Sequence, residues 1–180
     1  GILESHNLTA VLYADTVVHF IAMAAAVMLW TRYVVIYLEE KNRFGSLLYY
    51  AGGMFLVFEV IVVIINFFYP VLFWLDESGA YHAGTLRYVT LAIQIILFLM
   101  TSVYTMFVTS RAAGKAKHRH MTIGLFGIAM TLLIGVQVFY PLLPFYAVGY
   151  MLGTCVLHSF VVEDEKEEYR RELEKSIERE

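Results

Sequence analysis

The chain has 180 residues, of which 59% are hydrophobic and 16% charged, with a mean hydropathy of +0.65. Soluble domains run at about 45–50% apolar and about 25% charged, so a soluble globular fold is excluded. Nine of the 16 acidic and five of the 13 basic residues crowd into Glu163–Glu180, which leaves no basic surface for nucleic acid, and the single Cys155 rules out an internal disulfide framework or a multi-thiolate metal site.

A bilayer core takes about 20 mostly apolar residues per helix. Leu8–Thr31 carries one charge, Asp15, and beyond Arg32 the run Tyr33–Leu38 is apolar again. Phe44–Leu75 also holds one, Glu59, and Tyr88–Ser110 holds none. Met121–Val162 is uncharged too, but its 42 residues are too many for one crossing. Pro141 and Pro144 divide it, because proline removes a backbone donor and breaks a helix. The runs predict an all-α integral membrane protein, a bundle of five transmembrane helices near 9–38, 46–75, 86–110, 121–140 and 144–162. They are apolar on all sides, unlike the alternating strands of a membrane barrel.

The domain 1–162 is thus followed by a charged linker helix, 163–180, free of glycine and proline. Glu167 and Glu168 are spaced to pair with Arg171, and Val162, Tyr169, Leu173 and Ile177 form a narrow apolar stripe. Lys41 and Arg43 follow the first membrane run; Arg111, Lys115, Lys117 and Arg119 follow the third. The other side offers only Arg87, beside Asp76 and Glu77. Basic loops face the cytoplasm, so the N-terminus is expected outside and the tail inside. The chain opens at Gly1 without a signal-peptide pattern, and further helices are expected to precede it.

Ionisable side chains inside a bilayer mark functional sites by default. Asp15 and His19 are four apart and share a helix face, where they can pair. Asn66 and Gln94 fall at a similar outer depth, and the loop Asp76–Arg87 adds His82 and Arg87. We expect Asp15, His19, Asn66, Gln94, His82 and Arg87 to form an outward-facing pocket between the first three helices, lidded by that loop. A small polar or amphipathic ligand suits such a wall. Glu59 and Gln137 are expected as buried polar groups, and Asn66, Gln94 and Gln137 would equally serve as hydrogen-bonded glue between helices. Gly149 and Gly153 fit a small-residue packing motif on the last helix. His19 and His158 lie near opposite surfaces, so no haem clamp forms, and neither a cofactor nor a metal is expected. Catalytic signatures are absent as well.

The run Leu152-Gly-Thr-Cys-Val-Leu-His-Ser-Phe-Val-Val-Glu-Asp-Glu-Lys-Glu-Glu-Tyr-Arg-Arg-Glu-Leu-Glu174 resembles the junction between the last membrane helix and the linker of multi-pass bacterial signalling proteins. Trp74-Leu-Asp-Glu-Ser-Gly-Ala-Tyr-His-Ala-Gly-Thr-Leu-Arg-Tyr88 resembles their external loop, and Phe139-Tyr-Pro-Leu-Leu-Pro-Phe145 their last outer turn. The resemblance implies the sensor region of a diguanylate cyclase or sensor histidine kinase in a bacterial inner membrane. It would be non-enzymatic in itself, dimeric through the C-terminal helix, and responsive to a small ligand or to the lipid bilayer. The competing expectation is a proton-coupled transporter or channel subunit using Asp15, His19 and Glu59.

Overall fold

The computed structural model describes residues 2–38, 42–76, 78–111, 114–140 and 145–177. Lys41, Glu77, Pro141 and Pro144, to which the sequence assigns loop and turn roles, lie outside the described residues. The elements are α1 (Ile2–Tyr37), α2 (Arg43–Phe68), β1 (Phe73–Leu75), β2 (Tyr81–Ala83), α3 (Thr85–Arg111), α4 (Gly114–Phe139) and α5 (Phe145–Ile177). Among the described residues, four helices are long and apolar enough to cross a membrane, over Thr9–Tyr37, Arg43–Phe68, Thr85–Ser110 and His120–Phe139. The apolar stretch of α5, Ala147–Phe160, is shorter, and the same helix runs on to Ile177.

Asn42 sets the start of α2: its side-chain oxygen accepts the Gly45 N–H at 2.7 Å. The other end comes at Phe68, short of the Leu75 expected from the apolar run. Pro70 accounts for this, since it has no N–H and disfavours a helical residue before it. Tyr69 is accordingly extended, and its N–H closes the last turn on Ile65 O at 2.8 Å. The residues beyond turn back as an antiparallel hairpin that places Trp74 opposite His82. Part of the expected loop is therefore strand, so the fold is not purely helical.

Two antiparallel helix pairs, α1 with α2 and α3 with α4, form the body; α3 also packs on α1 and α2, and α5 lies along α4. Small residues let the paired backbones approach. A carbon added at Gly52 would stand 2.0 Å from Thr31 Oγ1, and one added at Gly127 would stand 2.2 Å from Ser102 Oγ. Between the pairs, Trp30 Nε1 donates to Thr101 Oγ1 at 3.2 Å, and its ring lies 4.7 Å from that of Phe126. The buried hydroxyls of Ser102, Thr105 and Thr109 donate to carbonyls one turn back on α3. Self-satisfied hydroxyls of this kind cost an apolar core little.

Candidate functional site

The hairpin is held from below by Asn66, which is 4% exposed at the end of α2. Its Oδ1 accepts the N–H groups of Leu72 (2.7 Å) and Phe73 (3.2 Å). Its amide donates to Phe73 O at 3.1 Å and Tyr13 Oη at 3.3 Å. Asn66 thus ties the strand to the helix instead of lining a pocket with Asp15 and His19. At the hairpin base Gly84 N–H reaches Leu72 O at 2.8 Å. A Cβ there would sit 2.2 Å from Val71 O, so only glycine fits.

Phe73 is fully buried and stacks on Phe20 (5.8 Å) and Tyr81 (5.9 Å), which docks the hairpin onto α1. The turn is built on Asp76, whose Oδ1 accepts from Ser78 N, Ser78 Oγ and Ala80 N, with Gly79 at φ 80° completing it. His82 Nε2 meets Asp76 Oδ2 at 2.9 Å while its ring stacks on Trp74 at 5.3 Å. The hydrogen bonds from Ser78, from His82 and from Ala80 N hold the Asp76 carboxyl well below the usual carboxylate range. His82 is thereby spent on the turn, exposed and away from the cavity described next.

Beneath the hairpin, between α1, α3 and α4, lies a cavity of ≈ 710 Å³, within the range of about 300–1,000 Å³ typical of small-molecule sites. Asp15 and His19 line it from α1, as their shared face predicts, although no hydrogen bond joins them and both are exposed. Arg87 and Leu91 line it from α3, Gln137 from α4, and Tyr81 from the hairpin. Arg87 is only 4% exposed. Its Nη2 donates to Gln137 O at 3.1 Å, while Nη1 is buried with no partner. The side-chain oxygen of Gln137 is likewise buried and unpaired. Burial pushes the Tyr81 hydroxyl above its ordinary range, so it stays a neutral O–H at physiological pH.

Gln94 does not reach this cavity. It is fully buried on α3, and so is Glu59 on α2; neither finds a side-chain partner among the described residues. Glu59 stands nine residues before the end of α2 and Gln94 nine after the start of α3. At about 1.5 Å per residue both sit about 14 Å below the hairpin end. The pocket therefore joins α1, α3 and α4 rather than the first three helices. Gln137 is the wall residue for which the sequence predicts only general burial. Its place depends on α3–α4 pairing, for which an uncharged run gives no signal.

Gly149 and Gly153 do mark the α4–α5 contact. A carbon added at Gly149 would lie 2.4 Å from Met130 Sδ, and one added at Gly153 would lie 2.2 Å from the Phe126 ring. One helix, α4, thus carries both a cavity wall and the seat of α5. Chemically, the site can hold an apolar body against Phe20, Met23 and Leu91 and a polar end against Arg87. No family model, curated protein or solved structure matches the chain.

Proposed function

We propose that the chain is the membrane-embedded input module of a bacterial inner-membrane signalling protein, relaying a ligand-induced movement to a cytoplasmic output domain of cyclase or kinase type. The observation that carries this reading is α5, an unbroken helix whose first half packs its glycines on α4 and whose second half is charged. In this reading α5 makes the fifth crossing expected near 144–162, centred on its apolar stretch Ala147–Phe160, the hairpin faces outside and the tail lies in the cytoplasm. The segment itself catalyses nothing. Occupancy of the cavity would shift α4 through Gln137, and α4 would displace α5 through Phe126, Met130 and Leu133. A ligand moves such an equilibrium only by binding one arrangement more tightly than the other.

Tyr169, Leu173 and Ile177 are exposed on one stripe of α5, which supports dimerisation through the tail. In a Cys155→Ala background, single cysteines at 169, 173 and 177 are expected to cross-link between copies, while cysteines at Arg170 and Glu174 are not. Uniform cross-linking, or none, would remove the dimer. Labelling at Ser78 and Lys117 from the same side of the membrane would remove the orientation.

A second reading, a proton-coupled transporter or channel subunit, draws on Glu59, whose two carboxyl oxygens are buried without partners. Proton uptake into liposomes that Glu59→Gln abolishes would favour it over the sensor.

A further inference from the structure

We propose that the cavity beneath the hairpin is a site for an amphipathic monoanion, a single carboxylate or phosphodiester on an apolar body, and that Arg87 takes the anionic group. The assignment rests on reading this cavity as the input site, and it names the ligand class that reading leaves open. Arg87 is the buried charge of the cavity, and a guanidinium has five N–H donors to satisfy. One goes to the Gln137 carbonyl, Nη1 has no hydrogen-bond partner, and the guanidinium lies 5.6 Å from the centre of the Tyr88 ring, which offers it no acceptor for those N–H groups. Among the described residues no carboxylate pairs with it. A buried cation left in this state is costly unless an anion arrives, and the fork of a guanidinium matches a planar carboxylate or a phosphate in two hydrogen bonds.

Two further features narrow the class. The walls facing Arg87 are largely apolar, with Phe20, Met23, Leu75 and Leu91 among them, so most of the occupant is hydrocarbon. Asp15 lines the same cavity as a second, exposed charge of opposite sign. A ligand carrying one negative charge can sit against Arg87 and keep its apolar part near Asp15. A second negative charge would be driven against that carboxylate, so dicarboxylates and phosphomonoesters are disfavoured.

The test uses the whole chain in phosphatidylcholine nanodiscs, titrated with decanoate, with decanol and decanedioate as controls. Decanoate should bind at least tenfold tighter than either control. Arg87→Gln should weaken decanoate tenfold or more, and Arg87→Lys should fall between, because an ammonium keeps the charge but loses the fork. Asp15→Asn should narrow the gap between decanoate and decanedioate. Should Arg87→Gln fail to fold, Thr16→Phe, which fills the cavity from α1, is expected to weaken decanoate with Arg87 intact. Equal binding of decanol and decanoate would overturn the assignment. So would an unchanged decanoate affinity in a folded Arg87→Gln protein.

Repeating the titration in phosphatidylglycerol nanodiscs identifies the source of the anion. Competition that disappears in Arg87→Gln assigns a lipid headgroup; indifference to the lipid assigns a free acid. Decanoate binding through Arg87 without movement of α5 would leave the ligand class standing and remove the sensor reading. Movement of α5 under decanoate that ignores Arg87→Gln would do the reverse.

Discussion

The hairpin end of the bundle and the end where α2 begins are built from the same helices but treat polar groups in opposite ways. Toward the α2 start, Thr31, Ser102, Thr105 and Thr109 satisfy their hydroxyls on their own helices, and Gly52 and Gly127 let the backbones close. Toward the hairpin, α1 and α4 flank a cavity, and Arg87 and Gln137 keep buried atoms unpaired. Glu59 and Gln94 lie just below, buried and unpaired as well. Hydroxyls suit close packing because a neighbouring carbonyl of the same helix is always within reach. Long amides and charged groups must find partners elsewhere, and where they do not, stability has been given up for something else.

This contrast is breakable by mutation. The largest effect is expected at Gly127→Leu, where the new side chain meets Ser102 and the Phe98 carbonyl. It should cost about 3 kcal/mol or prevent folding, as overpacking of a tight contact does, read as a drop in the thermal midpoint in detergent. Asn66→Ala follows. It strands the Leu72 and Phe73 N–H groups at the solvent-facing hairpin end of the bundle, at about 1 kcal/mol each, the lower end of the cost of a buried donor left unmade. Hydrogen exchange at those two amides should accelerate while α3 amides stay protected.

Glu59→Leu has the opposite sign. Removing an unpartnered buried carboxyl should raise stability by about 1–2 kcal/mol; a loss of stability would mean that Glu59 has a structural partner. The smallest effect is that of acid on the hairpin turn. The Asp76 carboxyl is depressed on folding, so its contribution is full above the ordinary carboxylate range and fades as pH falls below it. Protection of the Ser78 and Ala80 amides, taken relative to the intrinsic exchange rate at each pH, should fall in that window and stay constant in Asp76→Asn.

Run lengths free of charge were enough to place four helices long and apolar enough to cross a membrane, because bilayer thickness fixes the count of apolar residues, though not the end of α2. The common face of Asp15 and His19 was legible for a similar reason, since helical spacing is local. What failed was non-local. The run Phe44–Leu75 reads as one membrane helix, yet Pro70 ends α2 inside it and Phe73 turns back into the core. Asn66 reads as a pocket wall because nothing nearby in sequence announces that two strand N–H groups will need its oxygen. Gln94 and Gln137 look alike in sequence, and only the pairing of α3 with α4 puts one of them in the cavity.

The central claim is that the cavity and α5 move together, and a single distance reports it. Spin labels at Leu47 on α2 and Leu173 on α5, both exposed, would be introduced in a Cys155→Ala background. The distance distribution between them would then be measured in nanodiscs with and without decanoate. The account predicts a shifted distribution under decanoate and no shift in Arg87→Gln. Identical distributions at saturating decanoate would contradict it.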